Sequence, residues 1–307
     1  MIDQLNKLYG DFKKGQIDKT SYVRLMHGMH KVLWDYRDFI RNKNVSSIKI
    51  SKDGLTLTTN DGVTMICDPE DERTVPLEIL NFGDYEMPEM RMIRKFLNKN
   101  SVIIDIGANV GWYSLSLSKY VPHGSIMAFE PMPSIFEHLK KNIELNNIVN
   151  IRAQNIGLSD KPGILGFYYD PKFSAATSLR NLHENRKKKK IRCRVRRLDD
   201  FILRTTSRID LIKCDVEGAE LFVIKGALET LKKTRPVLLL EMLRKWSAKF
   251  GYHPNEIIDL LGSIGYHCYY ARNGRLAKIS KVNERTKATN FYFLDPKRHA
   301  KFIKELS

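Results

Sequence analysis

Three charged side chains alternate in the stretch IDLIKCDVEGAE, which covers residues 209–220. Successive side chains of an extended chain point to opposite sides, so Lys213, Asp215 and Glu217 share one side of a strand that ends there. A carboxylate in such a place can orient a hydroxyl group or take its proton. We therefore predict Asp215 as the principal catalytic residue, with Lys213 and Glu217 as its catalytic neighbours.

Two alternatives exist for the chemistry of this cluster. Asp215, Glu217 and Glu241, which ends the next apolar strand, could supply the oxygen ligands that Mg²⁺ prefers. Lys213 would neutralise part of their charge, so we predict no metal and assign Glu241 to the substrate side of the site. A histidine could also replace Asp215 as the base. The histidine candidates are His183, His253 and His267.

A glycine-containing loop follows an earlier strand, in IDIGANVGWYSLSLS (residues 104–118). Open α/β sheets bind ligands at the carboxyl ends of their strands, where the first helical amides can face a negative group. Gly107 and Gly111 permit a tight turn, but Asn109 stands where a dinucleotide fingerprint has its middle glycine. This departure argues against NAD and FAD. It favours a ligand with a carboxylate and no pyrophosphate, S-adenosylmethionine, whose amino end Asp105 would face.

Glu130 ends the following strand, in the segment AFEP (128–131). A carboxylate at the end of a second strand is placed to accept hydrogen bonds from a ribose diol. Glu130 lies 19 residues after Gly111, about the interval expected in such folds. We therefore predict that Glu130 binds the cofactor together with Asp105, Gly107, Asn109 and Gly111.

The sequence around these motifs predicts the elements that position them. From residue 100 onward, apolar strands alternate with helical patterns, which indicates βαβ units and a buried parallel sheet. The strands are predicted at 101–107, 124–131, 150–156, 209–215 and 236–242. Near the end of the chain, YHCYYA and NFYFLD could add antiparallel strands at the sheet edge.

Two smaller parts precede this sheet. The helical spacing of apolar residues predicts helices in residues 1–45, and two Asp-Gly turns between alternating stretches predict a β-ribbon after them. We divide the chain into a helical segment at 1–45, a β-ribbon appendage at 46–80 and a main domain at 81–307.

Six segments occur together in the order found in a known family. They are IDIGANVGWYSL, AFEPMPSIFEHLKKNIELNN, IGLSDKPG, RRLDDF, IDLIKCDVEGAELFVIKGALETL and PVLLLEM. In this combination the chain resembles the FkbM-type S-adenosylmethionine-dependent methyltransferases over roughly residues 80–295, with GDYEMPEM just upstream of the glycine loop.

The resemblance implies a class I methyltransferase fold: an α/β, Rossmann-like, mostly parallel seven-stranded sheet whose last strand is reversed. It also implies methyl transfer to oxygen, often to a sugar hydroxyl of a glycan, a glycolipid or a natural-product precursor. Tyr85 and Glu86 match a Tyr-Glu pair of the family, so we expect Glu86 near the methionine end of the cofactor. The alternative role for Glu86 is a cap on the following helix. Asn155, at the end of the third strand, is a candidate for an adenine contact.

Positive charge is concentrated in one segment. The chain has 52 Lys and Arg against 35 Asp and Glu, a net charge of +17, and Arg180 to Arg197 holds ten cations and one acid. Arg186 to Lys190 would form an exposed turn, and the arginines that follow would share one face of a strand. We predict that His183, Arg192 and Arg194 bind a sugar-containing, anionic acceptor. Peripheral contact with an anionic membrane surface and a merely solvated strand are the alternatives.

Composition excludes several classes of protein. Hydrophobic residues make up 42% and charged residues 28%, a globular balance that excludes fibrous and wholly disordered chains. The four cysteines are scattered, so we expect reduced thiols rather than disulfides or a zinc site. No apolar stretch approaches the roughly 20 residues that span a bilayer, and the N-terminus shows no apolar signal region. We expect a cytoplasmic protein.

Two other functions compete with sugar O-methylation. An RNA methyltransferase would suit the positive charge, but the basic segment lacks the interleaved aromatic residues of an RNA track, so nucleic acid is the less favoured partner. A cofactor-binding fold could also have become a non-catalytic interaction module. The intact glycine loop, Glu130 and Asp215 argue against that reading.

Overall fold

The chain begins with three helices and a small antiparallel sheet. The helices are α1 (Ile2–Lys13), α2 (Lys19–His30) and α3 (Val32–Phe39), and the strands are β1 (Ser47–Ser51), β2 (Gly54–Thr58) and β3 (Thr64–Cys67). This computed structural model describes residues 1–183, 185, 188–202 and 208–307. No residue of α1, α2 or α3 is buried. In contrast, Leu57 of β2, Met65 of β3 and Val63 in the segment between these strands are fully buried in a core shared with the main sheet, so the β-ribbon packs onto the main domain.

Helices and strands then alternate along the chain. The first group comprises α4 (Val75–Phe82), α5 (Met87–Arg94), β4 (Val102–Ile106), α6 (Trp112–Ser118), β5 (Ser125–Phe129), α7 (Pro133–Leu145) and β6 (Ile151–Gln154). Strands β7 (Gly157–Leu158) and β8 (Gly163–Tyr169), a 3-10 helix (Pro171–Ala176), β9 (Lys189–Arg196) and α8 (Leu198–Ile202) follow.

The last third of the chain completes the main sheet and its helical layers. It contains β10 (Leu211–Cys214), α9 (Glu220–Lys225), α10 (Leu228–Thr234), β11 (Val237–Glu241), α11 (Arg244–Lys249), α12 (Asn255–Ser263), β12 (His267–Arg272), β13 (Arg275–Ile279), β14 (Asn290–Leu294) and α13 (Ala300–Leu306). Within the described residues, no helix has both the length and the hydropathy to cross a membrane. All four cysteines are buried free thiols.

The main sheet has eight strands in the order β13-β12-β14-β11-β10-β4-β5-β6. Strands β4, β5, β6, β10 and β11 are mutually parallel and lie within the five predicted ranges. Strand β14 runs antiparallel between β11 and β12. This mostly parallel, Rossmann-like sheet with a reversed last strand confirms the predicted fold class.

Two details of the sheet differ from the prediction. The sheet has eight strands instead of seven, because a hairpin turn at Asn273 and Gly274 adds β13 at one edge. The φ angles there are 51° and 75°, the positive values that a tight two-residue hairpin turn requires. Strand β14 lies inside the sheet rather than at its edge, and four of its five residues, NFYFL, are buried. An edge position would leave those apolar side chains partly in water.

The basic segment forms a strand outside the main sheet. Strand β9 pairs with β7 and β8 in a separate three-stranded sheet. Cys193 and Val195 point inward and are buried, so Arg192 and Arg194 lie on the exposed face. The predicted alternation is therefore present. Of the predicted basic turn at 186–190, positions 186 and 187 lie outside the described residues.

Parallel register brings the ends of several strands to one edge of the main sheet. Lys213 on β10 is the partner of Asp105 on β4, and Asp105 is in turn the partner of Ala128 on β5. The segments that leave these strands carry the predicted site residues. Glu130 and Asp215 therefore meet at the carboxyl edge of the sheet, where open α/β sheets bind their ligands.

Gly107 lies against the backbone that follows β10. Its φ is +73°, and a Cβ at this position would stand 1.8 Å from the carbonyl oxygen of Asp215. Glycine is therefore required both by the left-handed backbone and by the close approach of the two chains. This contact sets the distance between the glycine loop and the segment that carries Asp215.

We expect Gly107→Ala to lower the free energy of unfolding by about 3 kcal/mol or more, because a steric clash adds to the left-handed strain. Gly274→Ala is the matched control: its φ is +75°, but no heavy atom lies within 4 Å of the added Cβ. That substitution should cost only about 1–2 kcal/mol. Urea unfolding followed by circular dichroism measures both changes. Equal losses would show that the contact with Asp215 does not constrain the loop.

Candidate active site

The loop after β4 folds back over the end of β5. The amides of Gly107 and Ala108 both donate to the carbonyl oxygen of Phe129, each at 3.0 Å. Asn109 has a left-handed backbone with a φ of 49°, and its amide donates to Glu130 Oε2 at 3.0 Å. Three hydrogen bonds thus join the two strand ends into one corner.

Two of the predicted cofactor residues support this corner from outside the cavity. Gly111 has a φ of 100°, and a Cβ there would lie 2.6 Å from Leu139 Cδ1, so the glycine lets α6 pack closely on α7. Asn155 is exposed, and its side-chain amide donates to the carbonyl oxygens of Glu130 and Pro131 at 2.9 and 3.0 Å. Both residues position the loop, and neither lines the cavity.

Glu130 is a buried carboxyl group at the end of β5. Its Oε1 accepts a hydrogen bond from the Met132 amide at 2.9 Å, in addition to the bond from Asn109. Burial raises the pKa of Glu130 to about 7, although the two amide hydrogen bonds act in the opposite direction. The group lines the cavity, where its ionised form can accept hydrogen bonds from ligand hydroxyls.

Lys213 is the cation at the centre of the site. Its buried ammonium donates to the carbonyl oxygen of Gly107 at 3.0 Å and lies 3.7 Å from Asp105 Oδ1 and 3.5 Å from Asp215 Oδ2. Burial alone would lower the pKa of Lys213, but the charges of Asp215 and Asp105 raise it above its usual value. Lys213 therefore remains charged and cannot act as a base; it holds the two carboxylates in place.

Asp105 lies beneath the glycine loop rather than on the cavity surface. It is 1% exposed, and its Oδ2 accepts a hydrogen bond from the Ser114 hydroxyl at 2.6 Å. Its Oδ1 has no hydrogen-bond partner among the described residues and faces Lys213. The structure therefore shows no direct route from Asp105 to a ligand. Its visible role is to orient Lys213 and the first turn of α6.

Three carboxyl groups converge beside Lys213. One oxygen atom from each of Asp215, Glu217 and Glu241 lies within 4.8 Å of the other two. Burial, and then the charge of Asp215, raises the pKa of both Glu241 and Glu217 well above the usual range. The protonated form of Glu241 is therefore favoured, and in that form Glu241 can donate a hydrogen bond to Asp215.

The same three carboxyl groups are the ones that a magnesium site would use. Their mutual distances are within reach of a single cation. However, Lys213 already compensates Asp215, and a metal ion would have to displace the proton from Glu241. A site without a metal stays our prediction.

Glu86 enters the cavity from the segment before β4. Its φ is 48°, and it is the N-cap residue of α5, but its side chain makes no capping hydrogen bond. Instead, its carboxylate accepts a hydrogen bond from the Tyr113 hydroxyl at 2.6 Å. Burial, and then the charge of Asp215, raises the pKa of Glu86.

Glu220 is a buried residue whose role the sequence analysis missed. Its Oε1 accepts hydrogen bonds from the amides of Val216 and Gly218 at 3.1 and 3.0 Å, and its Oε2 accepts one from the Tyr252 hydroxyl at 3.2 Å. Burial raises the pKa of Glu220 to about 7. Glu220 closes the turn after β10 and thereby positions Glu217.

These groups surround one cavity of about 390 Å³. The predicted site residues that line it are Glu86, Gly107, Asn109, Glu130, His183, Lys213, Asp215, Glu217 and Glu241. Those that do not are Asp105, Gly111, Asn155, Arg192 and Arg194. The two arginines lie outside because the inward positions of β9 are taken by Cys193 and Val195. Of the three histidine candidates, His183 alone lines the cavity.

Sequence reasoning also missed several side chains of the lining. They are Arg73, Trp112, Tyr113, Phe173, Lys245 and Trp246. Trp112 and Tyr113 directly follow the glycine loop, so their position could have indicated that they line the cavity. The others come from segments with no local motif, and only the folded chain brings them together.

A family profile described as the methyltransferase FkbM domain matches residues 105–268, which are 164 of the 307 residues. The chain belongs to the FkbM methyltransferase family. The matched range contains the glycine loop, Glu130 and Asp215. The protein is therefore an S-adenosylmethionine-dependent methyltransferase, as the resemblance implied, and the reading as a non-catalytic module is not retained.

Several known proteins resemble this FkbM methyltransferase in sequence. Methyltransferase 1 of Beauveria bassiana (strain ARSEF 2860) is 29% identical over 179 residues, which cover 48% of this chain and 72% of the relative. The 2-O-methyltransferase NoeI of Sinorhizobium fredii is 32% identical, over 47% of this chain and 65% of the relative. The hexuronic acid methyltransferase AglP of Haloferax volcanii is 24% identical, over 57% of this chain and 67% of the relative. The chain thus spans about two thirds of the length of these relatives.

The residues of the cavity suit S-adenosylmethionine. A volume of about 390 Å³ is within the usual range for small-molecule sites. Glu130 would accept hydrogen bonds from the ribose hydroxyls, and Glu86 and Asp215 would face the cationic groups. Trp112 lines the cavity, and its buried indole N–H has no hydrogen-bond partner among the described residues. It therefore leaves one donor for a ligand carboxylate.

We expect the affinity for S-adenosylhomocysteine to fall as the pH drops below about 7. The raised pKa of Glu130, about 7, means that its carboxyl is ionised only above that pH, and the protonated form cannot accept hydrogen bonds from both ribose hydroxyls. The dissociation constant should rise up to about tenfold per pH unit below 7. Calorimetry at pH 6, 7 and 8 measures it. Glu130→Gln should bind more weakly and lose this pH dependence; an unchanged profile in that variant would assign the effect to another group.

Proposed function

We propose that this methyltransferase transfers a methyl group to a sugar hydroxyl of a glycan, a glycolipid or a natural-product precursor. The observation that carries the proposal is the position of Asp215. Its carboxylate lies 3.5 Å from Lys213 Nζ and within 4.8 Å of a carboxyl oxygen of Glu241, and it lines the cavity that also contains Glu130. An oxygen acceptor needs such a group, because its hydroxyl must be oriented and must lose its proton.

The protein's part in the reaction follows from this arrangement. When bound, S-adenosylmethionine supplies a methyl group on a sulfonium sulfur, which becomes a neutral thioether on transfer. The protein must then align the acceptor, exclude water and remove one proton. Asp215 accepts that proton, and Lys213 and the protonated Glu241 fix its orientation. A weak base is sufficient, because the hydroxyl becomes strongly acidic as the new carbon–oxygen bond forms.

Two observations support a sugar as the acceptor. One relative is named a hexuronic acid methyltransferase, and another is named a 2-O-methyltransferase, which supports oxygen as the methylated atom. In addition, the cavity combines aromatic rings, such as Phe173 and Trp246, with carboxyl groups such as Glu217. Apolar ring faces and a few polar groups that fix orientation are what a polyhydroxylated ring requires.

RNA is the second candidate acceptor, and the net charge of +17 favours it. Filter binding at several salt concentrations separates the two. Protein binding releases counterions from RNA, and this release becomes less favourable as the salt concentration rises, so the affinity for RNA should fall steeply. Binding that is weak and independent of salt would leave the sugar proposal standing.

A cytoplasmic location and contact with an anionic membrane surface stay predictions.

We expect Asp215→Asn to reduce turnover at least about a hundredfold, the usual scale for a lost general base, while cofactor affinity changes only a few fold. Asp259→Asn is the control, because Asp259 is exposed on α12, outside the cavity. Methylated product is measured by mass spectrometry, and cofactor affinity by calorimetry. Nearly full turnover in Asp215→Asn would move the proton-accepting role to His183 or Glu217.

Activity should also survive chelation with EDTA. A loss of activity that Mg²⁺ restores would establish the magnesium alternative.

A further inference from the structure

A continuous row of rings and cations borders the cavity. The guanidinium of Arg73 lies 5.0 Å from the ring centre of Phe173, which contacts His183 edge-to-face at 5.6 Å. His183 in turn contacts Trp246 edge-to-face at 5.2 Å, and Lys245 Nζ lies 4.3 Å from the Trp246 ring centre. All five side chains line the cavity, and we call this row the acceptor wall.

Hydrogen bonds and close packing hold both ends of the acceptor wall. At one end, the Glu72 amide donates to the Lys172 carbonyl oxygen at 3.0 Å, and the Ser174 amide donates to Asp71 Oδ2 at 3.2 Å. These bonds fasten the backbone on either side of the Arg73–Phe173 contact. At the other end, a Cβ on Gly218 would stand only 3.1 Å from the backbone of Trp246. The wall is therefore formed before any acceptor binds.

The cations of the acceptor wall keep donors for a ligand. Arg73 Nε donates to Glu78 Oε1 at 2.7 Å, but its two terminal nitrogens make no hydrogen bond with any residue that the structure describes. Lys245 forms no ion pair within the described ranges. The acidic groups of the cavity, in contrast, gather around Lys213 at the ends of the strands. Positive charge thus lies at the wall and negative charge at the strand ends.

We infer that the acceptor wall binds a sugar ring that carries an anionic group, a carboxylate or a phosphate. The inference rests on the proposed function, since it names the class of sugar. Aromatic edges and faces provide an apolar surface for the ring. Arg73 and Lys245, at the two ends of the row, provide charge-assisted donors for the anionic group.

The separation of charge also orients the acceptor. An anionic group would be repelled by Asp215 and attracted by Arg73 or Lys245, so it lies at the wall. A hydroxyl elsewhere on the ring is then directed to Asp215, which accepts its proton. In this arrangement the acceptor wall holds the anionic group, instead of Arg192 and Arg194 on β9, to which the sequence analysis assigned the acceptor.

Three probes test this inference on the full chain saturated with S-adenosylhomocysteine. They are methyl glucuronide, glucose 6-phosphate and the neutral methyl glucoside, with binding measured by saturation-transfer NMR titration. We expect at least one anionic sugar to bind about tenfold or more tightly than the glucoside. Arg73→Gln and Lys245→Gln should each reduce that preference, with cofactor affinity unchanged. Arg272→Gln, at an exposed arginine on β12, should leave the preference intact.

The remaining outcomes separate failure of the inference from failure of the proposed function. Equal affinity for anionic and neutral sugars, or no binding of any probe, overturns the inference. A preference that survives both wall substitutions but disappears in Arg192→Gln/Arg194→Gln places acid recognition on β9 and also overturns it. Methylation of the neutral glucoside by wild-type protein would still support sugar O-methylation in either case. If only glucose 6-phosphate is preferred over the neutral glucoside, the anionic group that the acceptor wall binds is a sugar phosphate and not the carboxylate of a uronic acid.

Discussion

A single buried ammonium group holds the active site together. Lys213 joins the glycine loop, through the carbonyl oxygen of Gly107, to the carboxylates of Asp105 and Asp215. Carboxylates buried so close together would otherwise repel one another or take up protons. Because β4 and β10 are adjacent and parallel, one side chain can reach both strand ends. Removing its charge would leave two acids without compensation, a change that usually costs far more than a surface ion pair.

The second constraint is the backbone itself. Among the residues that the structure describes, six non-glycine residues have positive φ angles, and three of them line the cavity: Glu86, Asn109 and Glu217. Such conformations persist only where the surroundings fix them, and they concentrate at functional sites. Here the fixing groups are visible: the Glu130 carboxylate holds the amide of Asn109, and Glu220 closes the turn that carries Glu217. Two buried acids thus act on the site through the backbone that they hold.

The residues that we propose for acceptor binding lie outside this framework. The corner formed by the glycine loop and Glu130 lies at the ends of β4 and β5. The acceptor wall, in contrast, comes from the segment before α4, the region after β8 and helix α11. Loops on a rigid scaffold can change without disturbing the sheet. In our proposal, methyl-donor binding therefore depends on the geometry of the sheet, and acceptor choice depends on the segments around it. The exposed apolar side chains of the N-terminal helices, among them Trp34 and Phe39, belong to neither part.

The sequence by itself determined the parallel sheet, the glycine loop and the identities of Glu130, Lys213 and Asp215, because these depend on short-range patterns. Strand periodicity, turn residues and the spacing of charges within one motif are readable without distant contacts. It also grouped Asp215, Glu217 and Glu241, since the ends of neighbouring parallel strands must meet. It misjudged β14, because position within a sheet depends on which faces the rest of the chain covers.

Only the tertiary structure decided which side chains reach the cavity. Arg192 and Arg194 alternate as predicted, yet they face outward, since which face of a strand is buried is fixed by its packing partners and not by its alternation. Asp105 has the predicted place in the chain but lies under the loop, where Ser114 and Lys213 bind it. Arg73 and Trp246 are far apart in the sequence, yet both line the same cavity. Local patterns carry no information about such contacts, because they arise from the packing of the whole domain.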